Sequence, residues 1–139
     1  MAVYHTIPGA DVSFVAAVNL SSCQYFFVQA GSVAGEVTGA TGASNPAPLG
    51  VLQNSPSAGQ EARVRLVGPT KVKAVTGSSC GIAYGRFILS TAAGEANSPA
   101  TENGSPICGR WIGKSVPVSA SRYGEAFLFG FSACHVSAC

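Results

Sequence analysis

Residues 61–74 of the chain have the sequence EARVRLVGPTKVKA, and this stretch decides the fold class. Charged and apolar side chains alternate from residue 61 to residue 66 and again from residue 71 to residue 74, on either side of a Gly-Pro-Thr segment. Such alternation is typical of a half-buried β-strand, and Gly-Pro is typical of a turn. We therefore predict a β-hairpin with one apolar face and one basic face, the basic face carrying Arg63, Arg65, Lys71 and Lys73.

Short strand patterns continue on both sides of this hairpin. The 17 glycines and 8 prolines interrupt the sequence too often for a long helix. Residues 39–48 have the composition of a loop, and no internal repeat or linker is apparent. Regularly spaced short strands predict an all-β barrel or sandwich, folded as a single domain over residues 13–139. The further predicted strands are residues 13–18, 23–29, 35–38, 49–53, 82–90 and 125–131, with one or two short strands within residues 107–118.

The composition is apolar and poor in charge. Hydrophobic residues make up 47% of the chain and charged residues 10%, against about 25% charged residues in typical domains. We expect part of the surface to be covered by another protein. A net charge of +2 and four clustered cations without an aromatic platform do not favour a nucleic-acid partner.

From the first half of the chain we expect neither a secretory signal nor a membrane span. Its first basic residue is Arg63, so the basic segment that begins a secretory signal is missing. Residues 12–35 are uncharged but are interrupted by polar side chains, which makes a spanning helix improbable. Residues 1–12 favour an extended N-terminal arm, in which Val3, Tyr4 and Ile7 need a surface to lie on; a frayed terminus is the alternative.

Residues 77–81, with the sequence GSSCG, match the G-x-S-x-G pattern of hydrolases, with Ser79 as the nucleophile. Glu95, Glu102 or Glu125 and then His135 follow in the order of a hydrolase triad. The motif requires a strand–turn–helix elbow, whereas residues 82–90 predict a strand. A glycine turn is the favoured interpretation, and we predict that the protein is not an enzyme.

The five cysteines favour small buried side chains over a disulfide framework, because their number is odd and no secretory signal accompanies them. A bond between Cys134 and Cys139 is the remaining option. A metal site would have to use Cys108, Cys134, His135 and Cys139, and no second close pair of ligands supports it. We predict no metal and no cofactor.

Several segments together resemble the small head decoration (cement) proteins of tailed phages. They are residues 50–54 (GVLQN), Gly59, residues 61–68 and 71–74, residues 85–90 (GRFILS) with Gly94, residues 107–109 (ICG) and residues 125–129 (EAFLF). The resemblance covers residues 22–131 and consists of strands and glycines. Residues 39–48 and 132–139 have no counterpart in it.

The resemblance implies a small antiparallel β-barrel or β-tulip-like domain on the outer surface of the virion, made in the host cytoplasm. Homotrimers would bind the lattice of the major capsid protein and stabilise the mature head, commonly through an N-terminal arm. The residues that we expect to bind the capsid are Val3, Tyr4, His5, Ile7, Arg63, Arg65, Lys71 and Lys73. Those that we expect to form the trimer contact are Trp111, Phe127, Phe129 and Phe131. Ordinary core packing is the alternative for all four, and for the three phenylalanines it is the favoured interpretation.

Two other functions stay open from the sequence. A carbohydrate-binding adhesin or fibre-associated β-domain would present exposed aromatic side chains, with Trp111 and Tyr123 as candidates. A small hydrolase would depend on Ser79.

Overall fold

The computed structural model describes residues 11–42, 47–77, 80–98 and 107–132. The chain is all-β, as predicted, and the described residues form no helix. Within this part of the chain, therefore, no helix is long and apolar enough to cross a membrane. The strands are β1 (Asp11–Ala16), β2 (Phe27–Ala30), β3 (Glu36–Gly39), β4 (Pro48–Leu52), β5 (Glu61–Arg65), β6 (Val67–Val75), β7 (Phe87–Ser90), β8 (Ala96–Asn97), β9 (Ile107–Trp111) and β10 (Ser121–Ser132).

The strands form two small closed barrels, one after the other along the chain. The first barrel has the strand order β1-β3-β2-β4-β5, and the second has the order β10-β6-β8-β7-β9. Closure pairs the end strands with each other, β1 with β5 and β6 with β10. Both barrels are mainly antiparallel, and each contains one parallel pair, β1 with β3 and β6 with β8.

The two barrels have the same connectivity. Adding five to each strand number of the first barrel gives every pairing of the second barrel, with the same parallel or antiparallel direction. β5, which ends just before Leu66, is therefore the last strand of the first copy of the motif, and β6, which begins just after it, is the first strand of the second copy. The chain is a structural repeat, although its sequence shows no repeat.

The repeat extends to individual turns. The backbone N–H of Tyr25, just before β2, donates to the carbonyl of Leu52 at the end of β4, at 2.7 Å. The N–H of Gly85, just before β7, donates to the carbonyl of Trp111 at the end of β9, at 2.8 Å. Both donors have a positive φ, 69° for Tyr25 and 83° for Gly85. Tyr25 thus stands where the second barrel has a glycine.

The barrels share a core. One apolar cluster lies within the first barrel and includes Val28, Val37 and Val64. The larger cluster joins Phe27 and Val51 of the first barrel to side chains of the second barrel. Backbone hydrogen bonds cross the same junction, from Phe27 N–H to Gly94 and from Lys73 N–H to Tyr25. The two barrels therefore pack as one body, and we call this junction the inter-barrel seam.

The hairpin predicted for residues 61–74 is wrong. The alternation is real, since Ala62 and Val64 are buried in β5 and Val72 and Ala74 in β6. However, β5 pairs with β1 and β4, whereas β6 pairs with β10 and β8. Residues 68–70, predicted as a turn, continue β6 and lie opposite residues 126–128 of β10. The chain passes straight from one barrel to the other at this point.

The other predicted strands are present with shifted ends. The strand predicted for residues 82–90 is shorter, and only β7 (Phe87–Ser90) forms. Ile82 makes a single antiparallel bridge with Val116. The predicted last strand is longer than expected, because β10 also covers residues 121–124. β1 begins at Asp11, and the predicted arm before it lies outside the described residues.

Candidate interaction surfaces

An exposed aromatic face lies on the outside of the second barrel. Phe127 and Phe129 alternate on β10 with the buried Ala126 and Leu128, so that they point outward. Phe127 is 38% exposed and Phe129 is 40% exposed. Two large apolar side chains are therefore exposed to solvent on the outer face of one strand, and they form a candidate contact for a partner protein.

Three other strands of the second barrel extend this face. Phe87 of β7 packs edge-on against Phe129, with the ring centroids 6.2 Å apart. The guanidinium of Arg110, in β9, lies 4.9 Å from the centroid of the Phe87 ring. Val67 in β6 is the register partner of Phe129 and is also exposed. We call Phe87, Arg110, Phe127 and Phe129 the aromatic face.

The two remaining residues of the predicted trimer contact have different positions. Trp111 is wholly buried, and its indole N–H donates to the carbonyl of Lys114 at 2.9 Å. Trp111 therefore packs as a core residue and offers no surface to a second subunit or to a sugar. The backbone of Phe131 belongs to β10, and its side chain lies outside the described part.

The predicted basic face is divided between two barrels. Arg65 and Arg63 lie on β5 beside Asp11 of β1. Arg65 donates to both carboxylate oxygens, with Nη2 3.0 Å from Oδ2, and Nε of Arg63 is 4.0 Å from Oδ2. The hydrogen bond from Arg65, with both positive charges, holds the pKa of Asp11 below its ordinary value. Arg65 therefore stabilises the closure of the first barrel and is already neutralised.

Lys71 and Lys73 lie instead at a polar cleft on the inter-barrel seam. The Nζ atom of Lys71 is 5.1 Å from the ring centroid of Tyr25 and 5.3 Å from that of Tyr123. The Nζ atom of Lys73 is 4.9 Å from the Tyr123 ring. The two rings meet edge to face at 6.2 Å. Such cation–π geometry holds a cation without neutralising it.

The cleft has a volume of about 310 Å³ and is lined by both barrels. The first barrel contributes Tyr25, Gln24 and three serines, and the second contributes Lys71 and Tyr123. Gln24 is fixed by a hydrogen bond from its amide to the carbonyl of Gln53 at 3.0 Å. We call this site the tyrosine cleft. Sequence reasoning proposed Tyr123 as a sugar-binding candidate but missed Tyr25, because nothing in the segment QYFF indicates a positive φ.

A second depression, mostly apolar and with a volume of about 430 Å³, lies beside Cys80, Ile82 and Val116. Cys80 is disulfide-bonded, which corrects the expectation that the cysteines are simple buried side chains. Cys108 does lie in the core, and burial raises the pKa of its thiol to about 12. Neither residue is an accessible nucleophile.

Several predicted residues fall outside the described ranges. These are Val3, Tyr4, His5 and Ile7 of the arm, Ser79, Glu102 and His135 of the hydrolase pattern, and Cys134 and Cys139 of the metal pattern. Among the residues that are described, no group of three or more His, Cys, Asp or Glu side chains could hold a metal ion.

Comparison with solved structures finds chains of similar fold. One of them is the N base of the head fibre protein gp8.5 of bacteriophage phi29, with a TM-score of 0.57 and 14% sequence identity. The alignment covers 90% of this chain and 98% of that chain. No protein-family model matches the sequence, and the comparison with curated proteins found no match. At this identity the likeness is one of fold.

Proposed function

We propose that the chain is a structural protein of a tailed-phage head and that it binds the outer surface of the capsid. The observation that carries the proposal is the fold, since nearly the whole chain superimposes on nearly the whole base of a head fibre. Fold alone does not determine function, but this motif of two barrels combines with an exposed aromatic face and a charge content of 10%. An exposed aromatic face and a low charge content suit a protein whose surface is partly covered by other proteins in an assembly.

Within this role we propose a decoration protein that sits on the lattice of the major capsid protein as a homotrimer. A cyclic trimer needs two different patches that fit each other, because each subunit presents one patch to each neighbour. The aromatic face is the first patch, with Phe127 and Phe129 inserting into the next subunit. Aromatic and arginine side chains are the usual anchors of such contacts. The role proposed is structural and not catalytic.

Contact with the capsid is assigned to the residues that remain available. Arg63 is mostly exposed on β5, and Val3, Tyr4, His5 and Ile7 precede β1 in sequence. Each such contact is weak, and many of them across a lattice act together. Arg65 is removed from this set because it is paired with Asp11. Lys71 and Lys73, which were also predicted to bind the capsid, are left out of it because both ammonium groups lie against the tyrosine rings of the cleft.

The base of a head fibre is the second candidate, favoured by the description of the structural neighbour. The two candidates differ in copy number, since a lattice decoration protein covers the head and a fibre base occupies selected positions.

Reconstitution on heads tests the proposal. Heads from a phage that lacks the gene are mixed with the purified chain and sedimented, and bound protein is counted and located by electron cryomicroscopy. We expect saturable binding in groups of three. Phe127→Ser with Phe129→Ser should abolish the grouping, whereas Tyr84→Ser, which changes a 73% exposed ring outside the aromatic face, should not. Absence of binding by the unmodified chain would refute a head-surface role.

A further inference from the structure

The tyrosine cleft is assembled by the packing of the two barrels. Tyr25 precedes β2 in the first barrel, and Tyr123 belongs to β10 in the second. Their contact and the backbone hydrogen bond from Lys73 to Tyr25 both cross the inter-barrel seam. The cleft is therefore a fixed feature of the folded chain, and it is separate from the aromatic face proposed for subunit contacts.

The chemistry of the lining restricts the ligand. The lining contains hydroxyl groups, one amide, two phenols and one ammonium group, and no carboxylate. Glu125 is the register partner of Lys71, yet within the described ranges the carboxylate that forms ion pairs is that of Asp11. Lys71 is therefore not ion-paired in the described part of the chain. A cationic ligand is disfavoured, and a ligand with many hydroxyls and a negative charge fits best.

The backbone of Tyr25 gives an independent indication. Its φ of 69° is one that L-residues with a side chain rarely adopt, and the equivalent residue in the second barrel is Gly85, with a φ of 83°. A glycine would adopt this turn without a steric cost, whereas a side chain costs about 1 kcal/mol or more. A tyrosine at a glycine position is expected where its ring is needed. That ring contacts Lys71 and Tyr123 in the cleft.

We infer that the tyrosine cleft binds an acidic saccharide. Lysine ammonium groups already lie over the faces of both phenol rings, so the tyrosines offer a sugar their ring edges and their hydroxyls, the latter as hydrogen-bond partners. Ser21, Ser22 and Ser55 supply hydroxyls that donate to and accept from sugar hydroxyls. Lys71 pairs with the carboxylate of the sugar. The volume of the cleft suits one or two sugar rings. The site is independent of the capsid-binding role and would give a head-surface protein a glycan contact.

A glycan array with paired probes tests the inference on the purified chain. Each uronic-acid oligosaccharide is printed beside its neutral counterpart, and the strongest binder is titrated by calorimetry. We expect an acidic oligosaccharide to bind with a Kd below about 1 mM and at least about tenfold more tightly than its neutral counterpart. A hexaglutamate peptide serves as the competing class. Binding of the peptide as tight as that of the best saccharide, or no saccharide with a Kd below that limit, would overturn the inference.

Variants separate recognition from folding. Tyr123→Ala should weaken saccharide binding by at least about tenfold, and Lys71→Met should remove the preference for the acidic over the neutral probe. Tyr25→Gly should also lose binding. Glycine suits the backbone there, but the change also removes a ring that packs partly against the larger core cluster, so the melting temperature is measured beside it to separate lost binding from lost folding. Tyr84→Ala is the matched control and should bind as the unmodified chain does. Unchanged binding in Tyr25→Gly and Tyr123→Ala would contradict the assignment of the site.

Discussion

At the scale of single residues, Asp11 joins the two strands that close the first barrel. Its carboxylate accepts two hydrogen bonds from Arg65, and both side chains are about three-quarters buried. Arg65 also donates to the carbonyl of Pro69 at 2.7 Å, which ties the pair to the start of the second barrel. Hydrogen bonds between charged groups contribute more than neutral ones, and a pair in this setting contributes about 1 kcal/mol.

The Asp11–Arg65 pair makes the free energy of unfolding depend on pH. The pKa of Asp11 is lowered by folding from an ordinary value of 3.8, so the unfolded chain binds a proton first as the pH falls. The stabilisation is complete above that value and is lost as the pH falls through the folded pKa. Asp11→Asn should therefore lower the free energy of unfolding by about 1 kcal/mol at pH 7 and change it little at about pH 2. Urea unfolding at the two pH values measures this.

Glu61→Gln is the matched control for Asp11→Asn. Glu61 is an exposed carboxyl on β5 and makes no ion pair with another described residue. The Glu61→Gln substitution should leave the free energy of unfolding almost unchanged at both pH values. A loss in Asp11→Asn that is as large in acid as at neutral pH would show that the pair does not act through charge.

Cys108 provides a second prediction at this scale. Burial raises the pKa of its thiol to about 12, and only the thiolate reacts with alkylating reagents. With iodoacetamide at about pH 8, the folded chain should be labelled at Cys108 at least about a hundredfold more slowly than the unfolded chain. Peptide mapping by mass spectrometry measures the rates, with the half-buried Cys23 as the internal comparison. Equal labelling of Cys108 before and after unfolding would contradict its burial.

The predicted contact residues differ from one another in burial. The alternation in residues 125–131 placed Phe127 and Phe129 on one face, and the structure exposes both side chains. Trp111 sits in an equally apolar strand, β9, but its ring lies over Gly124 of the neighbouring strand. Whether an aromatic side chain points inward depends on which strand lies beside it, and a single sequence does not contain that information.

At the scale of elements, two glycines at equivalent places let neighbouring strands approach closely. A Cβ atom on Gly50 of β4 would collide with the carbonyl of Arg65 in β5. A Cβ atom on Gly109 of β9 would collide in the same way with the carbonyl of Phe127 in β10. The close approach is therefore part of the repeated motif, and it closes both barrels.

Alanine substitution tests this requirement. Gly50→Ala and Gly109→Ala should each lower the free energy of unfolding by about 2 kcal/mol, because the backbone of a closed barrel cannot move away. Gly39→Ala is the matched control. Gly39 lies in β3, where a Cβ atom would meet nothing within 4 Å and φ is not positive, so the change should be neutral or slightly stabilising. Urea unfolding measures all three. Equal effects in Gly50→Ala and Gly39→Ala would refute the close approach.

The error at residues 61–74 also belongs to this scale. Gly68 and Pro69 have the composition of a turn, yet they lie within β6 opposite Leu128 and Phe127. Alternation predicted both strands correctly because it reports which side chains are buried. It could not predict their partners, because pairing depends on strands that are distant in sequence, such as β1 and β10.

At the scale of the whole molecule, two barrels of identical connectivity pack into one body. The repeat was invisible in the sequence because equivalent positions hold different residues, such as Tyr25 and Gly85 or Arg65 and Phe127. What the copies share is backbone geometry, including the positive φ before the second strand of each barrel. The same divergence gives the barrels different surfaces, a charged pair on the first and the aromatic face on the second.

The all-β class, and the placement of Phe127 and Phe129 on one face of a strand, could be predicted from the sequence, and the tyrosine cleft could not. Alternation and the frequency of glycine indicate strands without further information. The cleft requires Tyr25 and Tyr123, nearly a hundred positions apart in the chain, to meet across the inter-barrel seam. Such a meeting follows from how the barrels pack, which is a property of the complete fold.

The measurement that tests the proposed function most directly is the number of copies of this chain in purified phage particles, relative to the major capsid protein. Quantitative mass spectrometry with labelled peptide standards gives both numbers from one sample. The account predicts a ratio near one, as expected for trimers distributed over the whole lattice. A few copies per particle would support the head-fibre base instead, and the absence of the chain from the particles would contradict the proposed role.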